Sequence, residues 1–162
     1  MKKIDVIEIL KLVVSVSICQ FAGFIGTVFT TPSIPTWYAT LNKPFFTPPS
    51  WLFAPVWITL YALMGISAFL VWRKGLSDQH VRKASIVYAV QLILNVLWSG
   101  VFFGFRSILA GLIVIVILWI AILLTILSFY KISKTAGLLL IPYILWVSIA
   151  ASLNFSVLIL NP

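Results

Sequence analysis

Acid is what this chain has least of. Its 162 residues include three carboxylates, Asp5, Glu8 and Asp78, against eleven lysines and arginines. There is one histidine, His80, and one cysteine, Cys19. Clusters of metal ligands, nucleophile–base triads and glycine-rich phosphate loops are therefore absent, and no metal site is expected. A single cysteine cannot form an internal disulfide and leaves the redox compartment unreadable. His80 sits in a polar loop close to Asp78 and reads as a solvated loop residue. Charge is missing where it would matter most for ion coupling. The long apolar stretches contain no Asp, Glu, His, Lys or Arg. Pumps, proton relays and voltage sensors carry such a group at depth despite its cost, so an ion-coupled transporter is not expected.

Apolar residues make up 62% of the chain and charged ones 9%. A soluble domain of this length is largely surface and cannot hide that much hydrocarbon. A bilayer can. Five apolar segments, Leu12–Phe29, Trp51–Trp72, Ala84–Gly104, Ile108–Tyr130 and Thr135–Leu158, are each long enough to cross a hydrocarbon layer of about 30 Å as a helix. The first helix can start as early as Val6. Helices are preferred over strands because the runs are continuously apolar, without the alternation of a membrane barrel. The expected fold is an all-α membrane bundle of five helices, spanning about 6–29, 51–72, 84–104, 108–130 and 135–158. A long loop, 30–50, follows the first helix. Without a linker, a low-complexity tail or a clear repeat, the chain reads as one domain, 1–162. The first apolar run is too long for a cleavable leader, and FAGFIGTVF offers no clear small-residue cleavage site.

The net charge of +8 does not form a groove-tracking patch, so no nucleic-acid partner is expected. The cations sort by side instead. Lys2, Lys3, Lys11, Arg73, Lys74, Arg82, Lys83, Lys131 and Lys134 fall on one side, and Lys43 and Arg106 on the other. The positive-inside rule then puts the N-terminus in the cytoplasm and the C-terminus and aromatic loop outside, for a plasma-membrane protein.

The helices carry uncharged stripes at helical spacing. Gln20, Gly23 and Thr27 align in the first, Trp57, Tyr61 and Gly65 in the second, Gln91, Asn95, Trp98 and Phe102 in the third, and Trp146, Ala150 and Asn154 in the fifth. Small and amide residues commonly hold membrane helices together, so Gln20 and Asn154 fit helix contact and ligand contact equally. The tryptophans fit packing less well, since an indole N–H in hydrocarbon needs a partner. Large rings beside Gly65 and Ala150 would leave a flat slot for a planar aromatic ligand. The GVFFG spacing, Gly100 to Gly104, suggests a helix-pair or dimer seam, with Phe102 and Phe103 facing different sides. Met64, Cys19 or a tyrosine could ligate haem iron, but no spacing pairs them.

The ordered stretches FAGFIG, WYATLNKPFFTPPSWLFAPVWITLYALMG, QLILNVLWSGVFFG and LLLIPYILWVSIAASLN resemble the TspO/MBR family, the tryptophan-rich sensory proteins related to the mitochondrial translocator protein. The likeness runs from about Phe21 to Asn154. It implies a five-helix bundle, often a homodimer, with a ligand pocket lidded by the first loop. Family ligands include porphyrins, haem, benzodiazepine-type drugs and, in animals, cholesterol. Carried over by position, the pocket would use Tyr38, Trp57, Tyr61, Asn95, Trp98, Trp146 and Ala150, with Thr27 as a neighbour. The tetrapyrrole is a ligand rather than a required cofactor. A sensory or regulatory role is implied, with light-dependent porphyrin degradation or transport as alternatives. Degradation would draw on Trp57 and Trp146 and would need no acid–base pair. Two departures stand out. Phe46 occupies a position usually held by tryptophan, and the sterol motif of the animal proteins is missing from NFSVLILNP. Leu127, Tyr130 and Lys134 match that motif only formally.

Overall fold

The computed structural model describes residues 6–162; Lys2 and Lys3, counted above toward the basic side, lie outside them. The described chain is all-helical and contains five helical spans long and apolar enough to cross a membrane. Helix α1 is Val6–Ser33, α2 is Phe53–Trp72, α3 is Gln79–Ser99 and α4 is Ile108–Ile132. The fifth span is two pieces, α5 (Lys134–Leu139) and α6 (Ile141–Leu160). Ser107 and Ser133 cap the starts of α4 and α5 by accepting hydrogen bonds from the N–H groups of Ala110 and Ala136. Asp78 does the same for α3 through His80.

The first span differs most from the sequence reading. Residues 30–40 are helical rather than loop. Beyond Ser33, α1 continues through a π-helical turn, Ile34–Tyr38, and on to residue 40. Pro32 and Pro35 lie within this helical stretch. They remove N–H donors, and a π turn lets the remaining groups re-register around such a gap. Thr36 also donates its hydroxyl to the Pro32 carbonyl at 2.7 Å. The resulting span of 33 residues is about 50 Å long at the ordinary helical rise, so its far end stands clear of the hydrocarbon layer. Only residues 41–49 remain to connect it to α2 and its leading 3₁₀ turn, Ser50–Leu52.

That short connection is held at its α1 end. Lys43 folds back and donates from Nζ to the carbonyls of Tyr38 (2.7 Å) and Leu41 (3.0 Å) at the helix end. Asn42 donates its backbone N–H to Asn161 Oδ1 at 2.9 Å, and Asn161 Nδ2 donates to the Asn42 carbonyl at 3.0 Å. The loop is thus tied to the end of α6.

The core is built from α2, α3, α4 and α6 around Met64, Leu118, Ile122, Tyr143 and Val147, all essentially sealed. Helix α1 is the least enclosed span and leans on α2 and α3. Its approach to α2 depends on Gly65, where a Cβ would lie 2.5 Å from the Val16 Cα. An ion pair of 2.8 Å between Arg73 and Glu8 joins the end of α2 to the start of α1.

Of the two readings of the GVFFG glycines, the helix-pair contact is seen: a Cβ at Gly100 or Gly104 would meet the ring of Phe29 on α1. Two further details depart from the sequence reading. The GVFFG segment is itself a π-helical turn, Gly100–Gly104, and both Phe102 and Phe103 are buried rather than facing opposite sides. The extra residue in a π turn rotates the following side chains relative to an α register. The fifth span breaks at Leu140, between α5 and α6, because Pro142 has no N–H to continue the ladder.

Candidate functional site

A cavity of about 220 Å³ lies between α1, α2 and the end of α3. Trp57 and Tyr61, one turn apart on α2, form one wall, their rings stacked at 5.5 Å and 30°. Trp98 and Phe103 from α3 and its π turn close the back, and Phe53 sits at the loop end. Trp98 is fixed by stacking on Phe102 at 5.6 Å and 18°, and its N–H donates to Asn154 Oδ1 at 3.3 Å. The α1 wall is Gln20, Gly23 and Thr27, the stripe read from the sequence. Gly23 is required there because a Cβ would fall 2.5 Å from the Tyr61 ring. Gln20 bridges the two helices below, donating from Nε2 to the Ile58 carbonyl at 3.0 Å. The cavity reaches the outside of the bundle beside Thr27, Thr31 and Ile58, all exposed.

Behind this wall runs a buried chain of hydrogen bonds. Tyr61 donates to Asn95 Oδ1. Asn95 Nδ2 donates to Tyr143 Oη at 2.9 Å, and Tyr143 donates to Gln91 Oε1 at 2.9 Å. The chain ends on Gln91 Nε2, which has no hydrogen-bond partner among the described residues. A second set couples Cys19 Sγ to Tyr88 Oη at 2.7 Å, with Tyr88 donating to the Met64 carbonyl at 3.2 Å. These bonds satisfy polar atoms that would otherwise be costly in a dry bundle.

The residues singled out from the sequence fall into three groups. Thr27, Trp57, Tyr61 and Trp98 line the main cavity. Tyr38 and Ala150, with Trp98 again, line a small adjoining hollow of about 30 Å³ on the far side of Phe53 and Phe103. Tyr38 arrives there from the helical extension of α1 and packs against Phe103 at 5.7 Å. Asn95 and Trp146 line neither space. Asn95 is buried behind Tyr61, and Trp146 meets the edge of Phe53 at 5.9 Å. The slot expected beside Gly65 is filled by Val16. Sequence reasoning passed over Phe53, Phe103 and Ser99. Ser99 had a signal, since it lies one turn beyond Asn95 on the same face. Its hydroxyl and the Trp57 indole N–H make no hydrogen bond among the described residues, so both are free on the cavity wall.

The wall can hold a flat apolar molecule by ring contacts and orient it with a few polar groups. Iron ligation is a poor fit. Tyr61 is the one lining side chain of a usual haem-ligand type, and its hydroxyl is already committed to Asn95.

Five apolar spans, three of which enclose an aromatic-walled cavity, define an integral, multi-pass membrane protein of the helix-bundle class. Residues 15–160 match the TspO/MBR family, and the chain belongs to it. It is 46% identical to the tryptophan-rich protein TspO of Chlorobaculum tepidum, over 96% of this chain and 98% of that protein. Identity to the tryptophan-rich sensory protein of Cereibacter sphaeroides is 38%, over 77% of each chain. Identity to the human translocator protein is 36%, over 83% of this chain and 80% of that one.

Proposed function

We propose that the protein binds flat, apolar ring systems of the porphyrin and haem type in the cavity between α1 and α2, in a sensory or regulatory role. The observation that carries this is the Trp57–Tyr61 stack on the cavity wall, with the unpaired Trp57 N–H beside it. Recognition runs through ring faces and not through a metal, which favours a macrocycle without a protein ligand to its centre. The cavity is smaller than the roughly 300–1,000 Å³ of most small-molecule sites. A tetrapyrrole therefore enters edge-on from the bilayer side and parts α1 from α2 as it does so. The loosely enclosed α1 supports such a movement. The sensory role is supported by the name of the Cereibacter relative. The basic end of the bundle faces the cytoplasm of a plasma membrane, on the strength of the charge bias.

Titration of purified protein with protoporphyrin, followed by quenching of tryptophan fluorescence, tests the reading. Trp57→Ala removes a ring contact of about 0.5–1.5 kcal/mol and the apolar area that goes with it, so affinity is expected to fall about tenfold or more. Trp72→Ala, at the opposite end of α2, leaves it unchanged. Equal affinities for the Trp57 variant and the unmodified chain would remove the cavity as the binding site.

A further inference from the structure

A second cavity, of about 740 Å³, lies at the basic end of the bundle, between the start of α3 and the end of α4. Lys74, Lys83 and Lys131 stand around it with His80. None of the three lysines has an ion-pair or hydrogen-bond partner among the described residues. The one carboxylate on the wall, Asp78, is engaged in capping α3 through the His80 N–H at 2.7 Å. The cavity thus gathers three cations against one carboxylate, which already caps the N-terminus of α3. Its floor is apolar, formed by Val81, Ala84, Val87 and Ile132. Further along the same two helices, Val90, Leu124 and Leu127 are exposed and continue as an apolar surface.

We propose that this basin binds the headgroup of an anionic phospholipid, with the acyl chains lying along α3 and α4. A freely dissolved phosphate would use the lysines but gain nothing from the apolar floor or the adjoining surface. A lipid uses both, and basic pockets between helix ends suit anionic headgroups in the leaflet that carries them. The site is separate from the aromatic cavity and does not depend on what that cavity binds.

Native mass spectrometry of the full chain released from detergent, with equal amounts of phosphatidylglycerol or phosphatidylcholine, tests the proposal. Phosphatidylglycerol is expected to be retained at least tenfold more. The Lys74→Gln, Lys83→Gln, Lys131→Gln triple variant loses that preference, whereas Lys11→Gln, elsewhere at the same end, keeps it. For the unmodified protein, raising salt roughly from 50 to 500 mM should erode the preference, since screening weakens exposed charge contacts. That measurement keeps the test decisive if the triple variant folds poorly. Equal retention of the two lipids, a salt-insensitive preference, or an undiminished preference in a folded triple variant would each overturn the proposal. Displacement of phosphatidylglycerol by millimolar glycerol 3-phosphate would assign the basin to a free phosphate and reject the lipid.

Discussion

Gly65→Ala tests how the bundle is held together. The new Cβ would sit 2.5 Å from the Val16 Cα and 3.0 Å from its N and Cγ2. Carbon atoms prefer about 3.5–4.0 Å, so α1 must retreat from α2 by about 1 Å or more. The obstacle is backbone, and a rotamer change cannot relieve it. Overpacking of this kind typically costs about 1–3 kcal/mol. Alanine returns up to about 1 kcal/mol through its better helix propensity. The net expectation is a loss of about 1–2 kcal/mol, a shift of about 5- to 30-fold in the folded population. Gly100→Ala is the matched control. Its Cβ would meet only the Phe29 ring, at 3.8 Å, an ordinary contact. Reversible unfolding of both variants in mixed micelles, read by circular dichroism, measures the difference. If Gly65→Ala is as stable as Gly100→Ala, the close α1–α2 seam is not a determinant of stability and the reasoning fails.

Two further perturbations separate support from contact. Tyr61→Phe keeps the ring that stacks on Trp57 but strands Asn95 Oδ1 without its donor. Stability should drop by about 1–3 kcal/mol while protoporphyrin affinity changes less than about twofold; an affinity loss as large as that of Trp57→Ala would place the hydroxyl in contact with ligand. Lys43→Met removes the donor to the Tyr38 and Leu41 carbonyls, worth about 1 kcal/mol for such a bond. Hydrogen exchange at residues 37–41 should speed up about fivefold, with the rest of the chain unaffected, and uniform exchange would dismiss the cap.

Much of this architecture could be read before any coordinates, because a hydrocarbon solvent imposes one rule on every residue it touches. Continuous apolar runs had to become helices, and the five spans follow. The α1 wall of the cavity was legible for a similar reason: Gln20, Gly23 and Thr27 share a face at simple helical spacing, and they line one space together. What escaped was local re-registration. Pro32 and Pro35 signal a helix end in water, yet the chain absorbs them in a π turn and carries Tyr38 inward on a helix. A second π turn buries both Phe102 and Phe103, which no regular period anticipates. Partner choice escaped as well. Asn95 and Trp98 share a face, but Asn95 is drawn to Tyr61 and Tyr143 while Trp98 reaches the cavity. Periodicity ranks faces; it does not say which of two adjacent polar groups a neighbouring helix will claim.

The mutual hydrogen bonding of Asn42 and Asn161 has a mechanical consequence. Asn161 also donates to the Val157 carbonyl at 2.8 Å, so one side chain serves both the final turn of α6 and the connection between α1 and α2. Fraying at that turn and release of the connection are then a single cooperative event. The segment that joins the two cavity-forming helices borrows its stiffness from a helix that contributes nothing to the main cavity wall, and the looseness of α1 can be set from the opposite end of the sequence.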